Sequence, residues 1–253
     1  MRCQFKRIAW ILVGSLWAVL PGAWAFGQEV ATGGLYAVVE LSFEGPRQGP
    51  ADVPARDIDF WVRFRHESGS PEYKIYGFWD GDGKGGTSGN FFKVRFCPTK
   101  TGRWDLAEVY SNAQELHGQK QGQYVTAVAS NHPGFWMADP DSPGRRWYMR
   151  SDGSHQYIFG NTHYSFLSGY YTDNKPSGND ITADIAGNAE YFKKLRFSLY
   201  GDRYPNPDEK PFFDAEGRPT DWGDDSHRPN PRWFAQRADL AVRTAWEHDL
   251  IAD

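Results

Sequence analysis

Cysteine is nearly missing from this chain: of its 253 residues only Cys3 and Cys97 carry a thiol. A disulfide framework of the kind that holds small exported domains together is therefore excluded, and the fold must rest on packing. Long apolar runs are scarce too. After Leu20 no stretch approaches the roughly 18 apolar residues that a membrane-spanning helix needs. Basic charge is also short, with 28 Lys plus Arg against 32 Asp plus Glu. A mildly acidic chain is a poor partner for nucleic acid or for an anionic membrane surface.

The N-terminus accounts for part of that basic charge. Arg2, Lys6 and Arg7 precede an apolar stretch from Ile8 to Leu20, and Pro21-Gly22 leads to Ala23-Trp24-Ala25, a small-x-small step. This pattern is that of a secretory signal peptide over residues 1–25, cleaved after about Ala25, and it predicts a secreted or periplasmic protein. Removing its three bases leaves 25 basic against 32 acidic residues, a net charge near −7. Cys3 leaves with the signal and sits too early for lipid attachment, so no membrane association is expected after cleavage.

Aromatic residues are abundant, with 11 Trp, 13 Tyr and 17 Phe. Planar side chains stack on sugar rings, but they also fill β-sandwich cores, so composition leaves both roles open. Periodicity says more. In "DIDFWVRFRH", Ile58, Phe60, Val62 and Phe64 fall on one side while Asp59, Arg63 and Arg65 fall on the other, the alternation of a half-buried strand. "YAVVELSFE" and "FKVRFC" repeat it, with Val39, Leu41 and Phe43 and then Phe92, Val94 and Phe96 inward, and "EYKIYGFW", "RWDLAEVY" and "GQYVTAVA" add weaker examples. Short strands parted by Gly, Pro, Asn and Asp predict an all-β, immunoglobulin-like sandwich over residues 30–140.

From residue 145 the pattern changes. "RRWYMRSDGSHQYIFGN" predicts a hairpin turning at Asp152-Gly153 with a second arm at Tyr157 to Gly160. Ile181, Ile185, Ala189 and Phe192 share one helical face, "LRFSLY" is a strand, and Asn230-Pro231 begins a helix from Arg232 to about His248. The closing "LIAD" starts a further strand. Strand, helix, strand, helix, strand predicts an α/β segment over residues 145–253. An eight-stranded βα barrel needs about 250 residues, so this segment is either a small three-stranded unit or, the favoured expectation, an incomplete barrel: its first two to three βα units.

The stretch "FWDGDGKGGTSGNFFKVRFCP", residues 78–98, has the look of a calcium or phosphate loop. Counted from Asp80 against the EF-hand pattern, position 5 is Lys84 and position 12 is Phe91, so an ammonium replaces one ligand and the bidentate acid is missing. For a phosphate loop, Lys84 should precede a hydroxyl and precedes Gly85 instead. No metal and no cofactor is predicted. Glycine and aspartate suit a wide turn between two strands.

The same letters carry a resemblance. Gly77, Asp80 to Gly83, Val94 to Phe96, Gly102, Trp104, Ser111-Asn112, Leu116, Gly118 and Gly122 resemble a family pattern, with Trp79 where tyrosine is usual. That family is the immunoglobulin-like domain of unknown function at the N-terminus of secreted bacterial glycoside hydrolases of the apiosidase-like type. Further on, Gly160, Thr162, Tyr164 and Arg196 are similar to the family's first two barrel strands. The resemblance implies a barrel glycosidase whose two catalytic carboxylates lie on later strands, beyond this chain, which would then be inactive alone. It implies a polysaccharide or oligosaccharide partner, with Thr162, His163, Tyr164, Arg196 and Tyr200 at the sugar and Trp79 as a further contact. Barrel packing explains the first five equally well, and Arg196, expected to be buried among apolar neighbours, is the strongest of them. The alternative is a stand-alone immunoglobulin-like module that binds carbohydrate or protein without chemistry.

Overall fold

The computed structural model describes residues 27–164, 167, 180–199, 209–221 and 228–253. The expected signal peptide and Tyr200 lie outside them. Seven strands come first: β1 (Glu29–Gly34), β2 (Val39–Gln48), β3 (Phe60–His66), β4 (Glu72–Trp79), β5 (Gly89–Phe96), β6 (Gly102–Ser111) and β7 (Tyr124–Val128), with a short helix α1 (Pro54–Asp57) after β2. They form one sheet in the order β1-β7-β6-β3-β4-β5-β2, antiparallel throughout except for the parallel pair of β1 and β7.

The sheet folds back on itself through β4, whose residues Glu72 to Tyr76 pair with β3 while Gly77 to Trp79 pair with β5. Its two edge strands then lie beside one another, Gly33 of β1 against Val39 of β2. Alternation fills the enclosed space: Val39, Leu41, Phe43, Phe60, Val62, Phe64, Phe92, Val94 and Phe96 are all buried. Phe64 and Phe96 stack with centroids 4.1 Å apart, and Phe96 meets the fully buried Trp104 edge-on at 5.0 Å. The indole Nε1 of Trp104 donates to Lys100 O at 2.9 Å, so this large ring is buried without leaving a donor unpaired.

Next come an antiparallel hairpin, β8 (Trp136–Ala138) with β9 (Tyr148–Arg150), then β10 (Gly160–Thr162), α2 (Ile181–Ala189) and β11 (Lys194–Arg196). A two-residue pair follows, β12 (Phe212–Phe213) with β13 (Pro219–Thr220), then α3 (Pro231–Trp233), a π-helical turn, α4 (Asp239–Glu247) and β14 (Ile251–Ala252). β10, β11 and β14 make a small parallel patch. Ile181 and Ile185 of α2, Leu195 of β11 and Ala241 and Ala245 of α4 form its core. Side-chain caps start both helical segments: Asp180 Oδ1 accepts from Thr182 N and Ala183 N, and Asn230 Oδ1 from Arg232 N.

Two expectations are corrected. The fold is not a two-sheet immunoglobulin-like sandwich followed by an incomplete α/β segment. Strand is the predominant regular structure of the described residues, most of it in one large, nearly closed sheet, and they contain no βα units of a TIM barrel. The strands of the parallel patch run three, three and two residues, and α2 and α4 nine each. Strands of globular proteins typically run about 5–6 residues. Helix and strand periodicities report local segments and do not report whether enough of them exist to build a layer. The expected hairpin at Asp152-Gly153 is also absent: β9 pairs backwards with β8, and Gly160 pairs in parallel with Lys194. Asp152 instead binds forward, its Oδ1 accepting from Ser154 N and Oγ.

Candidate functional site

A cleft of about 660 Å³ opens where the sheet meets the segment that starts at Pro229, with Ile58, Phe60, Tyr76, Phe78, Trp79 and Phe234 among its walls. Trp79 contributes an indole that is only 7% exposed, with Nε1 donating to Gly89 O at 3.1 Å. That leaves little of the ring for a ligand. Tyr76, at 63% exposed, is the open aromatic surface of this cleft.

The charged groups beside it form a lattice. Lys93 Nζ lies 2.7 Å from Glu40 Oε1 and 2.8 Å from Asp80 Oδ2. The Arg95 guanidinium holds Glu40 at 2.9 Å and takes Asp239 of α4 in a two-pronged grip of 2.7 and 2.5 Å, while lying 4.6 Å over the Phe78 ring. Burial opposes ionisation of Glu40, but Lys93 and Arg95 outweigh it and hold its pKa below the ordinary glutamate range. At Asp80 burial wins: its pKa lies above the ordinary range although Lys93 is in contact, because that lysine is shared and Glu40 adds repulsion. Lys93 loses by burial and gains more from the two carboxylates, so its pKa rises and it stays charged. Each of these acids is bound to a base, which suits structure better than proton transfer.

In the neighbouring loop, residues 80–89, Asp82 bonds within the loop. Asp82 Oδ1 accepts from Lys84 N at 2.8 Å and Gly86 N at 2.7 Å, and these bonds lower its pKa. Gly81, Gly83 and Gly85 take φ of 60°, 73° and 91°, where a side chain is strained. Gly85 O accepts from Arg232 Nε at 2.9 Å, so the loop also fastens the start of the C-terminal helical segment.

Four of the expected sugar-contacting residues fall together at the C-terminal ends of β10 and β11. Thr162 stands opposite Arg196 in the parallel register, His163 N donates to Arg196 O at 2.9 Å, and Ser198 N donates to Tyr164 O at 3.2 Å. Arg196 is not buried: its side chain is 62% exposed and lies 3.9 Å from Asp253 Oδ2. The buried residue of "KLR" is Leu195. Trp79 belongs to the other cleft. Of the acidic residues between the second predicted strand and the second helix, Glu209, Asp214, Glu216 and Asp221 are described; Asp214 and Glu216 pair with Arg218, and Asp221 with Lys210. The lattice of Glu40, Lys93, Arg95 and Asp239 was not anticipated, although alternation places Lys93 and Arg95 on one outward face and Glu40 opposite Arg95 in register.

Residues 33–109 match a domain of unknown function, DUF5060. No curated protein matches the chain. The fold is similar to the crystal structure of a candidate glycoside hydrolase from Bacteroides vulgatus ATCC 8482, with a TM-score of 0.62 and 23% identity. The likeness covers 89% of this chain and 41% of that one, so this chain spans about two fifths of that protein's length.

Proposed function

We propose that this chain is the N-terminal part of a secreted bacterial glycoside hydrolase of the apiosidase-like type, acting on complex polysaccharide. The nearly closed sheet serves it as an accessory module, and the chain alone hydrolyses nothing. The observation that carries this reading is the fold likeness, which runs through 89% of this chain yet reaches only 41% of a candidate glycoside hydrolase. Glycoside hydrolysis generally takes one carboxylic acid to protonate the leaving oxygen and one carboxylate to attack or to activate water. Of the three carboxylates at the 660 Å³ cleft, Asp80 and Asp239 are each locked to a lysine or an arginine, and Asp59 alone is one acid where two are needed, which supports placing the catalytic acids elsewhere in the longer protein. In this reading Thr162, His163, Tyr164 and Arg196 contact sugar from the ends of β10 and β11.

The coding sequence beyond Asp253 tests this directly. A continuation that carries two carboxylates required for hydrolysis is expected, and a stop codon directly after Asp253 would contradict the proposal. The second reading, a carbohydrate-binding module without chemistry, would then stand, favoured by the exposed aromatic residues of the β8–β9 region.

A further inference from the structure

A separate cleft, of about 940 Å³, lies at the opposite ends of the parallel strands, where Lys194 opens β11 and Ile251 opens β14. Its walls are the β8–β9 hairpin and residues 155–158. Three large rings on it face water: Trp147 is 62% exposed, Tyr148 56% and Tyr157 80%. Such a concentration of exposed aromatic surface marks an interaction site more often than an accident of packing. Tyrosine and tryptophan combine an apolar body with a polar tip, which fits a ligand that is apolar on its faces and hydroxylated at its edges.

The cleft is also built. The Arg150 guanidinium lies 4.7 Å over the Trp136 ring, and Arg150 is itself only 4% exposed, anchored to Gly134 O at 2.8 Å and to Asp249 Oδ1 at 2.6 Å. His155 Nε2 lies 3.0 Å from Asp139 Oδ2, and Asp139 Oδ1 accepts from Asp141 N at 2.9 Å. These contacts fix one wall before any ligand arrives. The charges on the cleft are matched with one exception. Lys194 pairs with Asp253 and His155 with Asp139, whereas Arg146 is exposed and has no carboxylate partner among the described residues. Its planar guanidinium presents donors in a fork that suits a carboxylate.

We propose that this cleft binds a short segment of a uronate-bearing polysaccharide, with Trp147 and Tyr157 stacking on the sugar rings and Arg146 receiving the uronate carboxylate. The ligand class rests on the polysaccharide reading above, but the site is one that reading does not use. The test is affinity electrophoresis of the 253-residue protein in gels containing glucuronoxylan, alginate or polygalacturonate, with neutral arabinoxylan as the comparison. At least one acidic polymer retards the protein more than arabinoxylan does. W147A and Y157A each weaken that retardation at least tenfold, and R146A removes the preference for the acidic polymer. Y191A, which alters an exposed tyrosine that is not among the residues lining the cleft, leaves binding unchanged, and all four variants melt like the parent protein. Equal binding of arabinoxylan, unaltered binding by W147A and Y157A, or no retardation by any of the three acidic polymers would each overturn the proposal. Because the readout is binding, a failure of the hydrolase reading leaves this result standing, and the converse also holds.

Discussion

Trp79 illustrates how one residue can be legible in kind while its surroundings are not. An aromatic beside a glycine-rich turn reads as a ligand contact, but its ring is 7% exposed and its Nε1 is bonded to Gly89 O. What the sequence lacked was the path of residues 80–89, which bring that carbonyl back over the indole. W79F keeps a ring and removes the donor, so it is expected to destabilise the protein by about 1–3 kcal/mol, the cost of a buried polar group left unpaired. Thermal or urea unfolding checks this; a variant with parental stability would argue that the indole is held for another purpose. Glu40 supplies a pH test. Its native pKa is lowered, so its contribution to stability is present above the ordinary glutamate range and is lost as pH falls through the lower native value. E40Q should therefore flatten the acid side of a stability-versus-pH curve. At Cys97, burial pushes the thiol pKa up to about 11, so this cysteine is a weak nucleophile at neutral pH.

At the scale of elements, the strands with strict alternation were readable because each has one face in the core and one in water. That covers β2, β3 and β5, and less clearly β4, β6 and β7. β1, "EVATGG", has no such contrast and was missed; it joins the sheet through its backbone, in parallel with β7. Gly77 shows why the sheet can fold over at β4. A Cβ there would lie 2.2 Å from Phe60 Cδ1 and 3.0 Å from Lys93 O, against a buried ring and a neighbouring backbone. G77A is expected to cost about 1–3 kcal/mol, the range for overpacking a well-filled core, measured by urea unfolding. The C-terminal elements were readable one by one, through the Asn230-Pro231 start and the Ile181, Ile185 face, but their assembly was not. Pairing partners such as Gly160 with Lys194 are set by contacts between segments distant in sequence. One such contact is the Arg95 grip on Asp239. R95M should loosen α4 from the sheet, costing about 1.5–3 kcal/mol for a charged hydrogen-bonded group, and should speed amide hydrogen exchange across residues 239–247 more than within β3.

For the whole molecule, the sheet, the 80–89 loop and the C-terminal helical segment are joined by side-chain contacts: Arg95 to Asp239, Arg232 to Gly85 O, and Arg228 to Ala51 O. The cleft at Tyr76 and Phe78 exists because these parts meet, and none of that was visible in a linear pattern. The resemblance carried by residues 77–122 pointed to the sheet domain, and residues 33–109 match DUF5060. It did not carry the architecture of the second half, where short strands replaced the expected barrel units. The central proposal is that this chain is part of a polysaccharide-hydrolysing protein whose catalytic acids lie elsewhere in it. The most direct measurement is release of reducing ends from a panel of plant polysaccharides, by this chain and by the product of its extended reading frame under the same conditions. The account predicts release by the extended protein and none above background by residues 1–253 or their processed form; hydrolysis by this chain alone would contradict it.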